Sequence, residues 1–461
     1  MNNFWDFSVW GWLNIMAMLF LSLLAANAMK KKIRILEQSL IPTSVLGGGL
    51  LLVVSGLYKM ITGNVLFEEV FFGTNGYNNL EIVTYHALAL GFVASSFKTE
   101  NGKLSKKRTT EIFNTGVTTV STYLLQAIIG FGITIIASLI IKGFFEAAGI
   151  LLPFGYGQGT GQAMNYGTIY ETEHGFVGGK TFGLTIAALG FLSASIGGVV
   201  HLNLLKRKRK ITGASEEGVL KSEQVQKADE IPMQGSIDKL TIQIALVMAA
   251  YMCTFLLMFL LGKLLPGMKS VIYGFNFLLG VLSGTLIKII INQLKKNGIA
   301  EKEYINDFLM TRISNFFFDV MVVAGIAAIR LDILESYWGI IVILGLVGLF
   351  ITYFYNYYVA KTLFPEYKEE QFLMMYGMLT GTASTGIILL REIDGDFKTP
   401  AADNMVYQNF PAIVFGFPMM LLATLAPVKP YLTMVILVVF FIGMNILLFR
   451  SKIFNKRELE K

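Results

Sequence analysis

Long apolar runs separated by short polar, mostly basic stretches fill the chain. Eleven of them, at 10–28, 41–61, 80–97, 112–141, 176–204, 239–261, 271–291, 309–329, 336–360, 402–425 and 430–449, approach or exceed the ~18–25 residues a helix needs to cross a ~30 Å hydrocarbon core. The pattern predicts an all-α polytopic membrane protein. The first run is kept as a span, because MNNFWDFSVWGW carries no basic n-region and no small-residue cleavage motif precedes KKKIR. Two further segments, 144–168 (FFEAAGILLPFGYGQGTGQAMNYGT) and 371–392 (QFLMMYGMLTGTASTGIILLRE), are apolar and then glycine-rich. If either crossed completely, every later loop would change sides. They are therefore predicted to be re-entrant hairpins, whose irregular backbone survives at membrane depth only against protein or water.

Composition agrees with the pattern. The 461 residues are 54% hydrophobic and 15% charged, with a mean hydropathy of +0.60, outside the range of soluble domains. One cysteine, Cys253, excludes an intramolecular disulfide, and three histidines give little basis for a zinc or iron site. No cofactor is expected. The net charge of +7 would suggest nucleic acid if the basic residues formed a patch, but they lie at span ends. With the N-terminus outside, 31 of the 38 Lys and Arg fall on the cytoplasmic side, as the positive-inside rule requires. The C-terminus is then cytoplasmic, the first hairpin dips in from outside and the second from the cytoplasm. Nucleic acid is excluded as a partner.

The two hairpins match one another. Gly157, Thr160, Gly161 and Ala163 recur as Gly377, Thr380, Gly381 and Ala383 at a shift of 220, which Gly175 and Gly395 keep. Five spans precede the linker and five follow it, each set with a hairpin between its fourth and fifth. Since five is odd, the second set is inverted relative to the first. The predicted organisation is a first repeat at 1–205, a cytoplasmic linker at 206–236, a second repeat at 237–426, and an extra span with its tail at 427–461. The linker is polar, of mixed charge and flexible in composition; its basic start suits anionic lipid headgroups.

Inverted repeats with opposed broken segments build transporter sites near the midplane. Glycines let backbone turn sharply and approach a ligand. Half-helix N-termini suit an anion, while the hydroxyls of Thr160, Thr380, Thr382, Ser384 and Thr385 suit Na⁺. The competing reading is close helix packing through small residues.

IPTSVLGGGLLLV at 41–53, GQGTGQAMNYGTIYETEHGF at 157–176 and TFGLTIAALGFLSASIGGVV at 181–200 resemble the bacterial sodium:glutamate symporters. The resemblance covers roughly residues 10–425. It implies a 5+5 inverted repeat, Na⁺-coupled uptake of an acidic amino acid such as L-glutamate, an elevator-like motion of the hairpin-bearing core, and a homodimer. The chain reads as a divergent member. Gly157-Gln158-Gly159-Thr160 stands where the family usually has Gly-His-Gly-Thr, YGMLTGTASTG lacks the family's Gly-His-Cys-Gly and proline, and the eleventh span is additional.

Candidate substrate contacts are Gln158, Gly159, Thr160, Gly161, Gln162 and Asn165 in the first hairpin, and Thr380, Gly381, Thr382, Ser384, Thr385 and Arg391 in the second. Arg391 offers a guanidinium fork to a carboxylate; alternatively it is an interfacial arginine. The amides serve the substrate or the hairpin's own backbone. Asp319 lies in NFFFDVMVVAGIAAI, where an ionised carboxylate costs at least ~2.5 kcal/mol on insertion scales. With Asn315 one turn earlier, and with Thr160 and Thr380, it is a candidate Na⁺ ligand; the alternatives are a proton carrier or an ion pair with Arg312. His86 is read as a hydrogen-bonded structural residue, and His174 is assigned nothing.

HGFVGGKT misplaces a P-loop glycine and GYGQGTG lacks dinucleotide-loop spacing. No catalytic constellation is present, so no enzyme is expected. The sequence favours Na⁺-coupled symport of glutamate or a related acidic amino acid. Alternatives are a Na⁺- or H⁺-coupled transporter of another dicarboxylate or amino acid and, with less support, an ion channel.

Overall fold

The computed structural model describes residues 3–98, 105–207, 230–233, 236–299, 302–331, 337–395 and 398–454. Most of the linker lies outside this set. The long helices are α1 (Phe7–Lys32), α2 (Thr43–Thr62), α3 (Gly76–Ser96), α4 (Lys106–Ile140), α5 (Leu151–His174), α6 (Gly179–Arg207), α7 (Lys239–Leu264), α8 (Asn276–Lys296), α9 (Asp307–Ala327) and α10 (Trp338–Leu363). After these come α11 (Lys368–Thr380), α12 (Ala383–Arg391), α13 (Ala401–Tyr407), α14 (Asn409–Leu425) and α15 (Pro430–Leu448). No strand occurs among the described residues; Glu230 and Glu303 form an isolated bridge.

Each of the eleven apolar runs is helical, and nine helices among the described residues are long and apolar enough to cross a membrane. Two runs differ from expectation. The run at 80–97 becomes α3, which starts earlier, so that Asn78 and Asn79 join Glu81 near its beginning, and it is not among the nine. The run at 402–425 bends by 54° between Ala401–Tyr407 and Pro411–Leu425. Pro411 cannot donate its backbone bond and its ring crowds the preceding turn, which explains the break.

The chain forms two compact units: Met1–Phe20, Leu57–Gly102 and Gly218–Ala327 make one, and Leu21–Gly56, Lys103–Glu217 and Ala328–Lys461 the other. Each draws on both halves of the sequence. In the first, Leu90, Val93 and Phe97 of α3 pack with Val247 and Ala250 of α7 and with Met310 and Ile313 of α9. Gly91 leaves room for the Phe318 ring, and the Ser314 hydroxyl donates to the Gly91 carbonyl at 2.9 Å. The end of the linker is fastened here: buried Lys239 pairs with Glu230 at 2.7 Å, and Asn306 Nδ2 donates to the same carboxylate at 2.6 Å. This fixes where α7 begins.

The second unit holds α4 to α6 and α10 to α15. Leu202 of α6, Ala360 of α10, Phe372, Leu373 and Tyr376 of α11 and Leu389 of α12 share a core. The additional helix α15 is joined to this unit, with Tyr355 OH donating to Asn445 Oδ1 at 2.9 Å and Arg450 to Asn114 Oδ1 at 3.0 Å. Large apolar side chains are exposed along α7 (Met252, Phe255, Leu260) and α15 (Leu432, Val435, Val439), as lipid-facing surfaces require. Every residue from Gln371 to Thr380, by contrast, is buried.

Candidate functional site at two hairpin tips

The first glycine-rich segment folds back on itself. Gly159 interrupts α5 with φ +78° and ψ −171°, a conformation essentially confined to glycine. On its two sides the Phe154 and Tyr166 rings stack with centroids 3.8 Å apart. Residues twelve apart on a continuous helix would stand ~18 Å apart along the axis. The chain therefore reverses at Gly159, and the second arm runs on to His174, beyond the expected limit of 168.

The second segment is a pair of helices, α11 and α12, joined at Gly381 and Thr382. Thr382 is extended, with φ −142° and ψ 172°. Two glycines set the spacing of the arms: a Cβ on Gly377 would lie 2.8 Å from Gly386 Cα, and one on Gly386 2.5 Å from the Met374 carbonyl. Only backbone fits there.

Both tips meet α4. Tyr123 OH donates to the Gly157 carbonyl at 3.0 Å; one turn on, Gln126 Nε2 donates to the Leu379 carbonyl at 3.0 Å and to Thr352 Oγ1 of α10 at 2.8 Å. Both also meet α6. Tyr156 OH shares a 2.8 Å bond with Ser193 Oγ and donates to the Gly345 carbonyl at 2.6 Å. Tyr376 OH donates to the Ser193 carbonyl at 2.7 Å. Tyr156 and Tyr376 stand at the same shift of 220 as the glycines that follow them. Sequence reading missed this pair, although the repeat already visible in Gly157 and Gly377 only had to be extended by one residue.

The contact between α4 and α10 is reciprocal. Thr122 Oγ1 is 3.5 Å from Asn356 Oδ1, and Gln126 pairs with Thr352. A Thr followed four residues later by an amide thus meets the same arrangement in reverse, at a shift of 230.

At the first tip, Gln162 and Asn165 are buried, and Gln158 is half-buried with its Nε2 inside. Asn165 Nδ2 donates to Gln162 Oε1 at 2.9 Å, whereas Gln158 Nε2 and Gln162 Nε2 have no hydrogen-bond partner among the described residues. On α4, Gln126 Oε1 is likewise unpaired. Buried polar atoms are ordinarily satisfied, and each unpaired one costs ~1–3 kcal/mol. Two unpaired donors on α5 and one unpaired acceptor on α4 are the atom types that a carboxylate and an ammonium would satisfy.

The hydroxyls of the second tip are occupied locally: Thr380 Oγ1 donates to the Tyr376 carbonyl at 2.6 Å, and the Thr382 and Thr385 hydroxyls lie 3.4 Å apart. Thr160 is fully buried beside Gly159 and Gly161. The side chain of Ser384 lies outside the described residues. Arg391 is the last residue of α12, ~13 Å along the axis from the tip. It stands at the base and is not brought to the tip amides. Asn315 and Asp319 occupy the exposed side of α9, one turn apart, in the unit that does not carry the hairpins.

His86 is hydrogen-bonded to Tyr251 OH at 2.6 Å, in keeping with a structural role. His174 lines a cleft of about 450 Å³ with Glu146 and Tyr337 at the base of the first hairpin. His201 escaped notice in the sequence. It is buried, with Nδ1 2.7 Å from Tyr353 OH and Nε2 2.9 Å from Glu369.

No family model matches the sequence, and neither does any curated protein.

Proposed function

We propose that the chain is a Na⁺-coupled secondary transporter that imports glutamate or a related acidic amino acid through an elevator-like, alternating-access cycle. The observation that carries this reading is the meeting of two glycine-hinged hairpin tips on one helix, beside unpaired buried amides. The tips are reversals within buried segments. Irregular backbone of that kind, in a chain whose helices are apolar enough to cross a membrane, favours re-entrant hairpins lining a polar site. The reciprocal pairing of α4 with α10, together with Tyr156 and Tyr376 converging on Ser193, supports an inverted 5+5 repeat: elements related by a two-fold axis meet through equivalent residues.

In this reading, Gln158 and Gln162 donate to a substrate carboxylate while Gln126 Oε1 accepts from its ammonium. Displacing no internal bond, the substrate satisfies groups that are otherwise orphaned. The hydroxyls of Thr160 and Thr380 are proposed Na⁺ ligands, and Asp319 with Asn315, one turn apart on the exposed side of α9, is proposed as a separate pair for the coupling ion. The protein lies in the plasma (inner) membrane with its N-terminus outside and its C-terminus cytoplasmic, an orientation supported by the lysine and arginine distribution. A homodimer follows from the resemblance alone.

A second reading has its own support. Neither tip, from Tyr156 to Ala163 or from Leu379 to Thr385, contains a charged residue, which suits a neutral amino acid equally well. Uptake of radiolabelled L-glutamate into proteoliposomes, with an inward Na⁺ gradient set against an equal K⁺ gradient, tests the main reading. Concentrative uptake with Na⁺ alone is expected. Uptake of a neutral amino acid in place of glutamate would favour the second reading, and failure of every amino acid and dicarboxylate would overturn both.

A further inference from the structure

Two orphaned oxygens lie where α4, α11 and the end of α13 meet. Asn404 is fully buried, and its Nδ2 donates to Tyr367 OH and to Gln371 Oε1, both at 3.0 Å. Gln371, fully buried, donates in turn to Thr115 Oγ1 at 3.1 Å. One turn beyond Asn404, Gln408 is 3% exposed; its Nε2 lies 3.2 Å from Asn409 Oδ1 and 3.6 Å from Met378 Sδ. These donors fix how each amide is turned. Asn404 Oδ1 and Gln408 Oε1 are then left as buried acceptors with no partner among the described residues.

Two neighbouring carbonyl-type oxygens with their N–H groups committed elsewhere are a poor fit to an anion and a good fit to a hard cation. The nearby charges are already paired. Glu111, one turn before Thr115, is bound to Arg108 at 2.5 Å, and Arg108 also lies 3.8 Å from Asp403. Neutral oxygens without a free carboxylate favour a monovalent ion over Ca²⁺ or Mg²⁺, which draw on carboxylates.

We propose that Asn404 Oδ1 and Gln408 Oε1 are ligands of an alkali-metal cation bound between α4, α11 and α13. The site is separate from the Na⁺ ligands considered above. Its use in coupling rests on the transport reading, whereas its occupancy does not, so an equilibrium measurement on the purified protein can fail without touching that reading.

The measurement is thermal unfolding in detergent, titrated with NaCl, KCl or choline chloride at constant ionic strength. The wild-type melting temperature should rise with NaCl or KCl relative to choline. Gln408→Met, close in shape and without the oxygen, should abolish or weaken that rise while leaving the melting temperature in choline unchanged or higher, because an orphaned acceptor has been removed. Gln408→Glu keeps an oxygen and adds charge, and should lower the cation midpoint by about tenfold, a change of ~1.4 kcal/mol. This second variant decides the matter if the methionine protein does not fold. Equal melting temperatures in all three salts would overturn the proposal and leave the two oxygens to a buried water. So would a cation response that keeps its midpoint and amplitude in Gln408→Met, or a midpoint unmoved in Gln408→Glu.

Discussion

The two hairpins are built alike and finished differently. Each presents a buried tyrosine to Ser193 and touches α4 with its tip. The first turns on one residue, Gly159 at φ +78°, and leaves amide donors unpaired. The second turns through Gly381 and an extended Thr382, at φ −137° and −142°, and satisfies its hydroxyls locally. On the transport proposal this difference implies a division: the first tip, with its unpaired donors, is the one that contacts the ligand. That division gives the transport proposal its most exposed consequences.

The largest difference should appear at the turns. Gly159→Val forces a β-branched side chain into backbone that costs ~1–3 kcal/mol even before sterics, and should abolish uptake and lower the melting temperature. Gly381→Ala keeps a negative φ, and its Cβ would crowd the buried Thr385 hydroxyl at 2.8 Å and the Gly377 carbonyl at 3.1 Å; it should be damaged less than Gly159→Val and retain measurable uptake. Parallel melting and uptake assays of the two variants check this, and equal damage would remove the distinction between the tips.

Next come the amides. Gln158→Ala and Gln162→Ala should each reduce substrate uptake by about tenfold or more, the ~1.4 kcal/mol or greater of a lost hydrogen bond to a charged group. The melting temperature of Gln158→Ala should be little changed, since it removes an unpaired donor, whereas Gln162→Ala also loses the bond from Asn165 and should be modestly less stable. A fall in stability matching the fall in uptake would show that these amides serve the hairpin itself.

The tyrosines should differ by less. Hydrogen bonds between membrane helices average ~0.6 kcal/mol and reach ~1.7. Tyr156 makes two and Tyr376 one, so Tyr156→Phe should be the more destabilising by chemical denaturation. Smallest of all, a double-mutant cycle between Gln126→Leu and Thr352→Val should give a coupling of ~0.5–1 kcal/mol, with additivity contradicting the α4–α10 contact.

Much of the fold is legible in the apolar runs, because a span must be both long and apolar. The exceptions have local causes. Asn78, Asn79 and Glu81 lie in the first turns of α3, which is not among the nine most clearly membrane-crossing helices, and Pro411 breaks the helix expected over 402–425. The hairpin matches at Gly157 and Gly377 are visible because a close neighbour demands glycine at both places, the Tyr123 ring at the first and the Gly386 backbone at the second. The partners on α4 are not. Tyr123 and Gln126 sit within an apolar run where spacing alone gives them no distinction, and only the fold brings them to the tips. For Arg391 the sequence shows a guanidinium at the end of the second hairpin, but only the helix shows its distance from the turn, ~13 Å along the axis. The orphaned oxygens of Asn404 and Gln408 were illegible for a similar reason, since an unpaired atom is defined by its surroundings.

The central claim is that the first hairpin's amides hold the transported molecule. Calorimetric titration of L-glutamate and a panel of neutral amino acids into the purified protein in Na⁺, for wild type and for the Gln158→Met, Gln162→Met double variant, tests it most directly. Saturable binding of one ligand by wild type, lost in a variant that still unfolds cooperatively, is the expected result. Undiminished affinity in the variant, or no binding by wild type to any of them, would contradict the account.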